Sequence, residues 1–313
     1  MACERRFRFG VEIRRAGSAQ EFRETVRRAE GLGYAAVFVP DHFVDHPLAP
    51  LPALAVAAEA SQRLRLASGV LGNDYRHPVV LAREAATLDL LSDGRLELGL
   101  GAGWMAADYQ RAGIPLERPG LRIARLAEAV AVLKGLFADG PFRFQGEHYR
   151  VDGLDGHPKP VQRPHPPFLI GGGGRKVLGL AAREADIVGI NANLRSGQGG
   201  EDAARSLSPQ RTDEKLAWVR EAAGERFADL EIQNLVGVVH FTGNPRPFAE
   251  GMAKAFGVPV EQALETPVAL VGSAESMGEA LEARRARWQM SYHVVPQDAL
   301  EPFAPVVARL AGR

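Results

Sequence analysis

The residues best suited to chemistry form a glycine run just after the middle of the chain. A short apolar segment at 168–170 precedes it, and an amphipathic stretch with apolar side chains at positions 177, 178, 181, 182 and 185 follows. Strand, glycine turn and helix in this order present backbone N–H groups and a helix N-terminus to an anion. The pattern predicts a phosphate-binding turn with added charge from a lysine, although plain turns are also rich in glycine. The residues concerned are Gly171, Gly172, Gly173, Gly174 and Lys176.

A second candidate is Asp41-His42, which follows an apolar run at 35–39. Because an imidazole titrates near neutrality, His42 suits proton exchange with a substrate, and the Asp41 carboxylate could orient its ring. The alternative is a Pro-Asp-His turn in which Asp41 only caps backbone N–H groups. Side chains that could line a nearby pocket are Phe43, Asn73, Tyr75, Arg76, Trp104 and Tyr109. No cluster of residues has the spacing of metal ligands, so we expect no metal.

Composition and charge exclude several classes of protein. The chain has 313 residues, 46% of them apolar, and we expect a single domain over 1–313. Its 38 basic and 38 acidic residues cancel, so charge gives no indication of nucleic-acid or membrane binding. The single cysteine, Cys3, excludes disulfides within the chain and favours a cytoplasmic protein. The N-terminus lacks the apolar region of a signal peptide, and the most apolar helical run, 51–60, is too short to cross a bilayer.

Strand-like and helix-like segments alternate along the chain and must position these residues. The predicted strands are 7–13, 35–39, 64–69, 96–100, 168–170, 185–191, 230–241 and 291–295. The clearest predicted helices are 52–62, 78–91, 119–137, 212–227, a helix capped by Ser273 or Ser276 and ending near 288, and 303–310. The stretch 242–266 is rich in Pro and Gly, which indicates an insertion with one short helix between strands seven and eight.

Eight such units in about 300 residues predict a (β/α)8 barrel of the α/β class. The rival is a doubly wound sheet, which would place its glycine fingerprint after the first strand. At that point the chain has Arg14-Arg15-Ala16-Gly17, so the barrel is favoured. Asp41-His42 would then lie at the mouth of the barrel, where strand two ends.

Several segments together resemble the luciferase-like monooxygenase family, and within it the branch that uses the deazaflavin coenzyme F420. They are 37–43 (VFVPDHF), 68–70 (SGV), 76–78 (RHP), 86–95 (ATLDLLSDGR), 98–104 (LGLGAGW), the glycine run, and 185–191 (ADIVGIN). The resemblance implies a barrel with its active site at the C-terminal mouth, a two-electron hydride carrier lying across it, and a homodimer.

The resemblance also implies roles for individual residues. The Gly69–Val70 bond is expected to be a non-proline cis peptide that forms a bulge behind the central ring of the cofactor. A wall for the substrate would come from Phe43, Tyr75, Trp104 and Tyr109. The candidate cofactor-binding residues are Ser68, Gly69, Val70, Asn73, the glycine run with Lys176, and Arg195. For Arg195 a solvated loop arginine is an equally open alternative.

Two departures from the family pattern concern the proton donor. Many relatives carry Asn-Glu after the Gly-Trp pair, where this chain has Met105-Ala106. A carboxylate found just after strand four in some deazaflavin enzymes is replaced by Trp104, and Asp108 is a substitute candidate.

Three functions remain open from the sequence. The first is an F420-dependent oxidoreductase that transfers a hydride between the deazaflavin C5 and a small organic substrate. The second is a monooxygenase that uses reduced FMN and oxygen on the same fold. The third is a barrel that binds a flavin-like ligand without turnover, which the missing Asn-Glu pair would favour.

Overall fold

The computed structural model describes residues 5–44 and 46–313, so Cys3 lies outside the described residues. Its strands are β1 (Arg8–Glu12), β2 (Ala36–Val39), β3 (Arg65–Ser68), β4 (Leu71–Gly72), β5 (Leu96–Gly101), β6 (Phe142–Gln145), β7 (Arg150–Leu154), β8 (Phe168–Gly172), β9 (Ile187–Ile190), β10 (Glu231–Leu235), β11 (Val238–Phe241), β12 (Ala269–Gly272) and β13 (Met290–Pro296). Its α-helices are α1 (Ala19–Gly31), α2 (Pro50–Ala60), α3 (Pro78–Leu91), α4 (Ala106–Ala112), α5 (Pro119–Phe137), α6 (Arg175–Glu184), α7 (Glu201–Arg205), α8 (Pro209–Ala223), α9 (Arg246–Phe256), α10 (Val260–Ala263), α11 (Ala274–Trp288) and α12 (Ala304–Leu310).

Eight parallel strands close into a barrel, which confirms the predicted (β/α)8 fold. Their order around the barrel is β1, β2, β3, β5, β8, β9, β10 and β13, and β13 pairs with β1 to complete the ring. The short β4 pairs with the end of β5. Among the described residues, no helix combines the length and apolarity needed to cross a membrane.

Two excursions from the barrel differ from the prediction. The single strand predicted at 230–241 is divided: β10 is a barrel strand, whereas β11 pairs in parallel with β12 outside it. Apolar residues flank Gly237 on both sides, at 235–236 and at 238–239, so the pattern could not show where the chain leaves the barrel. The insertion holds α9 and α10 rather than one short helix, and an antiparallel β6–β7 hairpin between β5 and β8 was not predicted.

A buried ionic cluster fills the end of the barrel where the strands begin. Glu97 on β5 accepts hydrogen bonds from Arg8 Nη1 at 2.7 Å, Arg65 Nε at 3.0 Å and Tyr292 Oη at 3.0 Å. Arg8 also donates to both carboxylate oxygens of Glu231, at 3.0 and 2.5 Å. Burial alone would raise the pKa of Glu97, but the charges of Arg8 and Arg65 hold it below its usual value.

His293 on β13 is a second buried titratable group. Its ring lies beside those of Phe7 and Phe9, with centroid distances of 5.9 and 6.1 Å, and its Nδ1 donates to Asn234 Oδ1 at 2.6 Å. Burial, reinforced by the charge of Arg284, lowers the pKa of His293 to about 3. The folded protein therefore keeps this imidazole neutral at any mildly acidic pH.

The buried cluster predicts a large loss of stability in Glu97→Gln. The change removes the carboxylate that Arg8 and Arg65 share. Breaking a fully buried ion pair costs about 3–5 kcal/mol, and because Arg8 keeps Glu231 and both arginine side chains are partly exposed, we expect a loss near the lower end of that range. Glu301→Gln is the matched control, because the Arg28–Glu301 pair is more than half exposed and should contribute less than about 1 kcal/mol. Urea denaturation measures both, and equal free energies of unfolding for the two variants would contradict the prediction.

The lowered pKa of His293 predicts an acid-dependent loss of stability. The unfolded chain protonates this imidazole near its ordinary pKa of about 6.5, whereas the folded chain does not. The free energy of unfolding should therefore fall as the pH drops below about 6.5, with a contribution of up to about 1.4 kcal/mol per pH unit. His293→Gln should lose this contribution, and His157→Gln, at an exposed side chain, should keep it. Urea denaturation between about pH 4 and 7 tests this, and equal slopes for wild type and His293→Gln would refute it.

Candidate active site

The predicted site residues lie on loops that leave the C-terminal ends of the barrel strands. His42 follows β2, a 3₁₀ turn at Asn73–Tyr75 follows β4, and Trp104 with α4 follows β5. The glycine run begins in β8, and the loop that carries Arg195 follows β9. Since all barrel strands are parallel, these loops share one rim of the barrel.

The carboxylate that orients His42 is Asp108, not Asp41. His42 Nδ1 donates to Asp108 Oδ2 at 2.6 Å, and the other oxygen of this carboxylate accepts from the backbone N–H groups of Phe43 and Val44 at 3.0 and 2.9 Å. The Asp108 side chain is fully buried and that of His42 is 20% exposed. Asp108 therefore fixes both the imidazole and the loop that carries it. Because Nδ1 is bound to Asp108, Nε2 is the ring nitrogen that can exchange a proton with another group.

Asp41, predicted to orient His42, instead binds Arg76. Its two oxygens accept from Arg76 Nη1 at 2.5 Å and Nη2 at 3.1 Å, and Oδ2 also accepts from the Gly72 backbone N–H at 3.0 Å. With both oxygens occupied, Asp41 ties the loop after β2 to the turn after β4. The prediction that Asp41 orients the imidazole was wrong, because both of its oxygens bind groups of the segment 72–76 instead.

Three aromatic rings form a row beside His42. Phe43 lies 4.7 Å from Tyr75, and Tyr75 lies 5.4 Å from Tyr109, centroid to centroid. The outer ring, Phe43, is 54% exposed, whereas Tyr109 is 1% exposed, so Tyr109 supports the row from below rather than lining an open pocket. Trp104 packs edge-on against His42 at 5.5 Å.

The base of this row is held by charges that sequence reasoning missed. Tyr109 Oη donates to Asp74 Oδ2 at 2.9 Å, and Arg125 on α5 donates to the other oxygen of Asp74 at 2.7 Å. Burial, with the nearby Asp74 charge, raises the pKa of the Tyr109 hydroxyl well above its usual value. Local sequence provided a signal for Asp108, which follows the apolar segment 104–107, but none for Asp74, whose neighbours Asn73 and Arg76 are polar.

The segment after β3 has the backbone that the resemblance implies, since the Gly69–Val70 bond is cis. The side chain of Ser68, at the end of β3, is engaged within the barrel. Its fully buried hydroxyl donates to Gly99 O at 2.9 Å and accepts from Gly99 N at 2.8 Å, so it joins β3 to β5. Asn73 is also buried, and its amide donates to Tyr149 Oη of the hairpin at 3.4 Å.

The glycine run fits an anionic group through its backbone. Gly174 caps α6 without a side-chain hydrogen bond, and a Cβ at Gly174 would meet nothing within 4 Å, so the first amides of α6 are accessible. At Gly173 an added Cβ would lie 2.1 Å from the carbonyl oxygen of Ala192. Only glycine therefore allows the loop after β9 to pack this closely on the turn.

The two cations predicted beside this turn are placed differently. Lys176 is exposed and lines an outer groove between α5, α6 and α8, together with Arg183 and Trp218. Arg195 is exposed on the loop after β9, and its backbone N–H donates to Asn193 Oδ1 at 3.3 Å. The backbone amides of α6 are consequently a better-placed anion site than the Lys176 ammonium.

Comparisons with known proteins agree with this arrangement. A profile of the luciferase-like monooxygenase family matches residues 6–209. The F420-dependent glucose-6-phosphate dehydrogenase of Intrasporangium calvum is 34% identical over 214 residues, which are 64% of this chain and 62% of that protein. The FMNH(2)-dependent dimethylsulfone monooxygenase of Pseudomonas putida is 31% identical over 134 residues, 43% of this chain and 37% of that protein. The matches thus span less than two thirds of these relatives.

One solved structure shows how closely the fold is shared. The coenzyme F420-dependent tetrahydromethanopterin reductase from Methanopyrus kandleri matches with a TM-score of 0.79 over 98% of this chain and 99% of that chain. Its sequence is 17% identical to this one, so the likeness bears on the fold alone.

Proposed function

Because this chain belongs to the luciferase-like monooxygenase family, we propose that it is a coenzyme F420-dependent oxidoreductase that acts on an uncharged organic substrate. The observation that carries this proposal is the His42–Asp108 pair at the barrel mouth. When a hydride is transferred to or from the carbon of a carbonyl or alcohol, the substrate oxygen must gain or lose a proton. A positioned imidazole can donate or accept that proton. The longer match, to an F420-dependent dehydrogenase, supports the same cofactor.

The chain would hold the cofactor mainly through backbone groups rather than through side chains. The amides at the start of α6 suit the phosphate, and the cis Gly69–Val70 segment suits the face of the ring system. When bound, the deazaflavin supplies or accepts the hydride. The chain's contribution is then to orient the ring and the substrate at the mouth.

His42 is the proposed acid–base group. With its Nδ1–H donated to Asp108, the neutral ring presents Nε2 as an acceptor for a hydroxyl proton, and the protonated ring returns that proton in the reverse direction. Asp108 stabilises the charged imidazole and fixes its orientation. The row that begins with Phe43 supplies an apolar surface nearby.

The charges around His42 favour an uncharged substrate. Arg76 is neutralised by Asp41, and Arg125 by Asp74 together with Glu117. Arg122 donates to the backbone carbonyls of Ala102, Gly103 and Glu117. These three arginines already have partners, so a phosphate or carboxylate bound on this side would compete with existing ion pairs and hydrogen bonds.

The alternative within the family is a monooxygenase that uses reduced FMN, which the relative from Pseudomonas putida supports. The presence of Met105-Ala106 in place of Asn-Glu would favour a third possibility, binding without turnover. The relative affinities for F420 and FMN distinguish the proposal from the monooxygenase. Turnover of a substrate distinguishes it from binding without catalysis.

The cofactor is tested by fluorescence titration of the protein with F420 and, separately, with FMN. The Kd for F420 is expected to be at least about tenfold lower than that for FMN. Gly173→Ala should raise the F420 Kd by about tenfold because its Cβ would displace the Ala192 carbonyl, and Gly31→Ala, which enters open space at the end of α1, should stay within about twofold. A preference for FMN would make the monooxygenase the better proposal, and no binding of either would refute the cofactor assignment.

The role of the His42–Asp108 pair is tested by turnover of F420 with a panel of uncharged alcohols and carbonyl compounds. Asp108→Asn should lower kcat by about 10²-fold, with the F420 Kd unchanged, because the imidazole loses the charge that supports its protonated form. Asp152→Asn, at an exposed carboxylate of the hairpin, is the control and should react like wild type. Turnover of glucose 6-phosphate in preference to the uncharged panel would contradict the substrate class.

A further inference from the structure

A buried lysine outside the proposed catalytic site joins the two ends of a mouth loop. Lys215 on α8 is 2% exposed, and its Nζ donates to Asn191 O at 2.7 Å and to Ser206 O at 2.6 Å. Asn191 is the first residue after β9, and Ser206 directly follows α7. The segment 191–206, called here the mouth loop, therefore leaves the barrel and returns to a point fixed by one ammonium group.

A second contact closes the same ends. The Asn193 backbone N–H donates to Ser206 Oγ at 2.8 Å, and Ser206 Oγ in turn donates to Ala203 O at 2.6 Å. Loops whose ends meet and whose middle packs on itself are compact units that are often functional. The mouth loop has this form because of Lys215 and Ser206.

The middle of the mouth loop touches both halves of the proposed site. On one side Ala192 packs against Gly173 so closely that any side chain there would collide with its carbonyl. On the other side Gly197 O accepts from the Ala106 N–H at 3.0 Å, at the start of α4, the helix that bears Asp108. The loop thus connects the anion-binding turn with the helix that holds His42.

We propose that Lys215 is a positioning residue that clasps the mouth loop over the glycine run and against α4, and so controls the affinity of the site for its cofactor. The clasp itself follows from the contacts of the chain, whereas its effect on cofactor affinity rests on the proposed function. Lysine suits this position because it carries three donors and no acceptor, and so can satisfy two carbonyls that approach from different directions.

The charges around Lys215 are consistent with a structural ammonium rather than a reactive amine. Both hydrogen-bond acceptors are neutral carbonyls, and burial lowers the pKa of Lys215 to about 8, with Glu214 opposing and Arg211 adding to the shift. Arg211 and Glu214 are paired with each other at 2.7 Å on the same helix. The lysine therefore remains largely protonated at neutral pH and keeps all three donors.

Hydrogen–deuterium exchange of the protein without cofactor tests the clasp directly. Lys215→Met keeps the side-chain length but removes the donors, so amides of residues 192–206 should exchange at least about tenfold faster, while those of β1 and β5 stay as in wild type. Lys254→Met, at an exposed lysine of α9, is the matched control and should change neither region. Unchanged exchange of the mouth loop in Lys215→Met would overturn the proposal.

A conservative variant separates positioning from general stability. Lys215→Arg keeps the charge and several donors, and should return exchange of the mouth loop to within about threefold of wild type. If Lys215→Met does not fold, Lys215→Gln, which keeps one donating amide, takes its place with a smaller expected increase. Failure of Lys215→Arg to restore any protection would show that the hydrogen-bond donors do not account for the loss, and would overturn the proposal.

Titration with F420 and with FMN tests the consequence for the site. Whichever ligand wild type binds should bind Lys215→Met about tenfold more weakly, and Lys254→Met equally well. If Lys215→Met shows faster exchange of the mouth loop but an unchanged Kd for the ligand, the proposal that Lys215 controls cofactor affinity is wrong. If wild type binds neither ligand, the proposed function fails, and the exchange experiment still decides whether the clasp exists.

Discussion

A single buried carboxylate organises the closed end of the barrel. Glu97 on β5 is bound by side chains from β1, β3 and β13, and Arg8 continues the cluster to Glu231 on β10. Five of the eight barrel strands are thereby joined at the end where they begin. Because breaking a buried ion pair is costly, this cluster favours the strand order and register that bring its partners together. The opposite end of the barrel is then free to carry loops.

The mouth uses the same principle, with one carboxylate for each loop junction. Asp108 joins α4 to the loop after β2, Asp41 joins that loop to the turn after β4, and Asp74 joins the turn to α5. At the mouth loop, the ammonium group of Lys215 joins the two ends in the same way. Loops that would otherwise be variable are therefore fixed by buried polar contacts, and this gives His42 a defined orientation.

Sequence reasoning was accurate where the signal was local. The alternation of short apolar strands with amphipathic helices predicted the barrel, and the resemblance implied the cis bond at Gly69–Val70. It failed where a residue had two plausible partners. Asp41 adjoins His42 in the chain, but its carboxylate binds Arg76. The division of the strand predicted at 230–241 depended on pairing with β12, which no local pattern shows.

The sequence by itself determined the fold class, the family and the loops that carry the predicted site residues. These follow from periodicity and from motifs read within short windows, and parallel strands carry such residues to one rim. Only the tertiary structure decided that Asp108, 66 residues from His42, is its partner, and that Lys215 closes the mouth loop. These contacts join loops that meet only after the barrel has closed. Which buried donor finds which acceptor is therefore set by three-dimensional distance, which local sequence patterns do not encode.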